Sequence, residues 1–195
     1  MKQLFDADQS ADQARLDEFE QAVKDIFPFL FSEFGFEVFI RSASSRSVAL
    51  VLQSNDCLIQ FYSIPERADH NILFGPRSAA DPHRETWPCT DSEKQWFYVA
   101  SVVSFFDRQP VAMEVQANLE ASGSFQSREQ QFRRWAARLE PVCIQAVAFF
   151  RQDGFAHRRA ELIQFKTEYT RAYGEAYRAA RACAKTEEPD SGNEP

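Results

Sequence analysis

Cys57, Cys89, Cys143 and Cys183, with His70, His83 and His157, are the residues of this chain whose types could carry covalent or metal chemistry. A cysteine attacks only as the thiolate, which calls for a neighbouring cation, a histidine base or a helix N-terminus. A zinc ion asks for ligands at short spacings such as CxxC or HxxxH. Neither pattern is present, and no strand-turn-helix elbow surrounds any of the cysteines. The fold could bring Cys57 or Cys89 to His70 or His83, but no local signal marks either cysteine as activated. The residues read as reduced, buried thiols and surface histidines, with no catalytic residue and no metal. Six glycines, none in a GxGxxG or GxxxxGK pattern, give no phosphate-cradling loop, so no cofactor is expected.

A second chemistry is suggested by arginines beside aromatics in "QFRRWAARLE" and "HRRAELIQFK", a combination that nucleic-acid binders use. At 100° per residue, Arg171, Arg178, Arg181 and Lys185 fall within about 80° of one another, opposite Tyr169 and Tyr173. Glu161, Glu168 and Glu175 border that stripe, some at i, i+3 spacing from its arginines, which is how a solvated helix face looks. Arg171, Arg178 and Arg181 are therefore the candidate nucleic-acid face, weighed against a bland one. The ladder Phe165, Tyr169, Tyr173, Tyr177 is read as core, packed on Phe132, Trp135 and Leu139 of a preceding helix.

The net charge of −7 is unevenly spread: −9 on residues 1–126, +6 on 127–185 and −4 on 186–195. Either these parts complement each other or one meets a charged partner. Residues 75–90, "GPRSAADPHRETWPCT", form a long irregular loop with three prolines, and such loops are often functional. Asp81, Glu85 and Trp87 within it, with Asp91 and Glu93 just beyond, are the candidate partner-binding residues for a basic protein.

The elements that must position these residues follow from periodicity. Leu16, Phe19, Val23, Ile26, Phe27, Leu30 and Phe34 recur at steps of three and four, giving a helix over residues 11–34. Pro28 must kink or restart that helix, and Gly35 suits its C-terminal cap. The aromatic run "FPFLFSEFGF" is thus the bend where a core helix hands over to a strand, with Phe27, Phe31, Phe34 and Phe36 mostly in the core. "FEVFIRS", "SVALVLQ", "CLIQFYS" and "DHNILFG" read as a four-stranded antiparallel meander, with Val48, Leu50 and Leu52 facing the helix. Thr90 and Glu93 at capping-box spacing favour a helix over 91–107, with a strand as the alternative. "PVAMEVQANLEASGSFQ" reads as a short strand and a linker. Ser127 and Gln130 open a helix whose apolar residues run from Phe132 to Phe150, stopped by Asp153 and Gly154; a second helix over 156–185 pairs with it as an antiparallel hairpin. The fold class is α+β: residues 1–126 a sheet domain, 127–185 a helical hairpin packed on it, and 186–195 a disordered acidic tail. The first twenty residues lack a secretory signal, and no apolar stretch reaches the ~18 residues of a membrane span, so a cytoplasmic protein without membrane contact is expected.

The order "FPFLFSEFGFEV", "SVALVLQSNDCLIQFYSI", "NILFGP" and "EKQWFYVASVVSFF" resembles a loose group of small, uncharacterised bacterial cytosolic proteins, some of which look like immunity proteins of toxin systems. The resemblance covers residues 20–110 and carries no catalytic signature. It implies a non-catalytic protein-binding role, immunity-type or regulatory, with a basic toxin as a possible partner; an enzyme without a legible motif is the further alternative.

Overall fold

In a computed structural model, the described residues are 2–44, 46–67, 69–79, 95–122 and 127–186. Helix α1 (Lys2–Ile26) buries Phe19, Val23 and Ile26 on one side. It stops at Phe27, and Pro28 opens a short α2 (Pro28–Ser32), where its missing N–H costs no hydrogen bond. Gly35, at φ +61°, then takes the left-handed turn that lets the Phe36 N–H reach the Leu30 carbonyl at 3.0 Å. Phe27 and Phe36 are buried, and Phe31 and Phe34 are half-buried against the same core.

Five antiparallel strands follow in the order β1 (Glu37–Ala43), β2 (Val48–Gln53), β3 (Cys57–Ile64), β4 (Asp69–Pro76) and β5 (Phe97–Tyr98). The four expected strands pair as a meander, with Val51 opposite Gln60 and Gln60 opposite Leu73. The fifth lies within 91–107, the stretch read as a helix with a strand as the alternative. Its two residues pair with Leu73 and Phe74, and Phe97 is fully buried there. Val48, Leu50, Leu52, Ile59, Phe61, Ile72 and Phe74 belong to one core with the helices, because alternate residues of a strand share a face.

Helix α3 (Val99–Asp107) leaves the sheet directly from Tyr98, so the helix expected over 91–107 is part strand; Thr90 and Glu93 lie outside the described residues. The strand expected in "PVAMEVQ" is instead the start of helix α4 (Val111–Ser122). Its Val-Met-Val alternation is not a burial pattern: Met113 is exposed, while the adjacent Glu114 and Val115 are both buried. Helix α5 (Arg128–Leu139) begins at the expected capping box, with the Ser127 N–H donating to Gln130 Oε1 at 3.0 Å and the Gln130 N–H donating to Ser127 Oγ at 3.3 Å. Pro141 breaks the run with a 3-10 turn before α6 (Cys143–Phe150). The chain turns at Arg151, not at Asp153 and Gly154, which lie in the first turns of α7 (Gln152–Thr186).

The hairpin's packing differs from expectation in one respect. Phe132 of α5 sits 5.8 to 6.1 Å from the rings of Phe19, Phe27 and Phe61, between α1 and the sheet. The ladder of α7 lies along α3 and α4 instead, while α6 packs on α7. Rings at these distances and tilts attract edge to face, and the broad Phe face of α5 is best satisfied by the aromatic α1. No helix among the described residues is long and apolar enough to cross a membrane.

Candidate functional site

Three helices bring a polar cluster under the junction of α3, α4, α5 and α7. The Arg138 guanidinium donates to Asp107 Oδ2 at 2.8 Å, to Glu114 Oε2 at 3.1 Å and to Ser104 Oγ at 3.3 Å. Ser104 Oγ donates in turn to Glu114 Oε2 at 3.2 Å. Burial opposes the Arg138 charge, but the hydrogen bond it donates to Asp107 and the charge of Glu114 outweigh it and hold the pKa above its ordinary value. The Tyr169 hydroxyl is buried beside this cluster and meets no described residue at hydrogen-bond geometry; burial first, and then the nearby Glu114 carboxylate, push its pKa above the usual tyrosine range. Both carboxylates thus accept from one guanidinium.

Above the cluster lies an open groove between α3 and α7. One part, of about 390 Å³, is lined by Phe105, Phe106, Arg108, Arg158, Glu161, Gln164, Phe165 and Glu168. The adjoining part, of about 290 Å³, shares Arg108, Phe165 and Glu168 and adds Ser104, Tyr169 and Arg171. Arg108 ends α3 at φ +53°, a left-handed conformation that a residue with a Cβ adopts at some cost. That turn sets its guanidinium over the Phe105 and Phe165 rings, 5.1 and 5.7 Å from their centroids. Arg158 lies over Phe149 at 4.9 Å and pairs with Glu161 at 3.3 Å. The groove is therefore an aromatic floor with guanidinium and carboxylate walls.

Of the residues singled out in the sequence, Phe165, Tyr169 and Arg171 line the groove. Asp81, Glu85, Trp87, Asp91 and Glu93 lie outside the described residues. Arg171, Arg178 and Arg181 are exposed on α7 as expected, with Arg171 at the groove and Arg181 stacked over Tyr177 at 5.9 Å. Cys57 and Cys143 are free and buried, and burial pushes both thiols up to about 12, far from a reactive thiolate. His70 is not a surface histidine: it is buried, with Nδ1 2.8 Å from Ser63 Oγ across the β3–β4 pair, and the serine has no accessible surface. Among the described residues, no three His, Cys, Asp or Glu side chains gather as a metal would need. Arg108, Glu114 and Arg138 were missed because no spacing links them; the only local sign was an Asp-Arg pair closing an apolar run.

Charge complementation within the chain is visible. Arg128 pairs with Glu18 at 3.1 Å, Arg151 with Asp56 at 3.0 Å, and Arg41 with Asp17 and Glu20. Comparison with family models, curated proteins and solved structures finds no match to this chain.

Proposed function

We propose that the protein is a non-catalytic protein-binding module, of the immunity or regulatory kind. The observation that carries this reading is the contrast between its chemistry-bearing groups and its groove. Cys57, Cys143 and the Ser63–His70 pair are buried and the Arg138 cluster is paired within itself, with Ser104 alone of it reaching the groove, while Phe106 and Phe165 line that open groove beside Arg108 and Arg171. Aromatic and arginine side chains are the types that dominate binding energy at protein interfaces. The −9 on residues 1–126 favours a basic partner at long range and would raise its association rate at low salt.

The test uses a partner obtained by co-purification with the full chain. Phe106→Ala with Arg108→Ala should raise its Kd at least tenfold by speeding dissociation. Neutralising Asp81, Glu85, Asp91 and Glu93 together should slow association and flatten its salt dependence. Unchanged binding in both variants would remove the proposal. A second reading, nucleic-acid association through Arg171, Arg178 and Arg181, is favoured by one observation: Arg171 and Arg178 make no ion pair with a described residue. It requires oligonucleotide binding that weakens with salt and loses about one unit of salt slope per arginine removed.

A further inference from the structure

The exposed side of α7 carries two interleaved repeats of opposite sign. Glutamates stand at 161, 168 and 175, and basic residues at 171, 178 and 185, each seven residues apart. Two helical turns per heptad keep both series on one side, and Glu168, Arg171, Glu175 and Arg178 are all exposed on it.

Within the chain this stripe is only partly satisfied. Glu161 is taken by Arg158, and Glu168 accepts a hydrogen bond from Gln164 at 3.0 Å. Arg171, Glu175 and Arg178 form no ion pair with a described residue, although Glu168 and Arg171, like Glu175 and Arg178, have the i, i+3 spacing that would allow one. Because the two series share a period, an antiparallel copy of the same helix meets its own complement, and one register pairs all six charged positions where a shift of one heptad pairs only four. In that register Glu168 lies opposite Arg178 and Arg171 opposite Glu175, each twice by symmetry, and Lys185 falls opposite Glu161. Thr167 and Gln164 then face Ala179 and Ala182, small residues that permit close helix approach.

We infer that this face of α7 is a self-association surface, on which a second copy of the chain docks antiparallel about a two-fold axis level with residue 173 along the helix. The occupant follows from charge self-complementarity, as an isologous contact requires. Exposed pairs are individually weak, so the assembly is expected to be salt-sensitive and concentration-dependent.

Sedimentation of the full chain tests this, with circular dichroism confirming that each exposed-site variant keeps its helix content. The wild type should sediment with the mass of two chains at low salt and shift towards one chain as salt rises. Variant one, Arg171→Glu with Arg178→Glu, and variant two, Glu168→Arg with Glu175→Arg, should each be monomeric, because each opposes like charges. Mixed in equal amounts, they should recover the two-chain species, since every pair is then opposite. The fourfold swap carrying all these changes should also self-associate. A monomeric wild type at low salt, dimers that survive in both variants, or a mixture that stays monomeric would each overturn the inference.

Discussion

Arg138 of α5 and Glu114 of α4 meet at 3.1 Å, twenty-four positions apart in the chain, and both side chains are largely shielded from water. A buried ion pair of this kind adds little net stability over apolar packing, yet removing one partner strands the other charge. Arg138→Met alone should destabilise the fold by ~3–5 kcal/mol, and adding Glu114→Leu should recover part of that loss, with Asp107 still left without its guanidinium. Urea denaturation of the two variants decides it; equal destabilisation in both would contradict the pairing.

The aromatic bend gives a graded expectation. Phe27 is fully buried between Phe29, Phe61 and Phe132, so Phe27→Ala should cost ~3–5 kcal/mol. Phe34 is half-buried and touches Phe29 at 6.5 Å, so Phe34→Ala should cost about 1–2 kcal/mol. A reversed order in chemical denaturation would place the bend differently.

Two thiols report on alkaline pH. Burial raises Cys57 and Cys143 from an ordinary value of 9.0 to about 12 in the folded chain. Below pH 9 the thiol is protonated in both states and contributes no pH dependence; between about 9 and 12 only the unfolded chain ionises, so stability falls as pH rises. Native protein at pH 8 should accordingly leave both cysteines unalkylated, and denaturant should expose them to the same reagent. Rapid modification of either in the folded state would contradict their burial.

Gly75 admits no side chain without movement. A Cβ there would stand 2.9 Å from the Trp96 ring, so Gly75→Ala should displace the indole. A shift in tryptophan fluorescence with a loss of stability is expected, against an unchanged spectrum if the ring is elsewhere. Gly35→Ala, at φ +61°, should cost about 1–2 kcal/mol through backbone strain alone.

Much of this architecture follows from local rules acting over a few residues. Period-two runs became β1 to β4, the steps of three and four became α1, α5 and α7, Pro28 restarted a helix, and the Ser127–Gln130 box opened another. The helices are decided by backbone hydrogen bonds and caps whose partners lie within about four residues, and the strands by an alternation that lets each pair with its neighbour in sequence across a short turn, so a local reading finds both. β5 and α4 escaped that reading because their state depends on a distant neighbour: β5 is a strand only because β4 offers an edge, and α4 turns Glu114 inward only because Arg138 waits there. The groove has the same origin. Phe105, Arg108 and Phe165 are unremarkable in sequence and become one surface when α7 lies along α3. Helix periodicity determined that α7 has an apolar side and a charged side; only packing decided that its tyrosines meet α3 and α4 rather than α5, because the Phe132 face of α5 was already buried against α1 and the sheet.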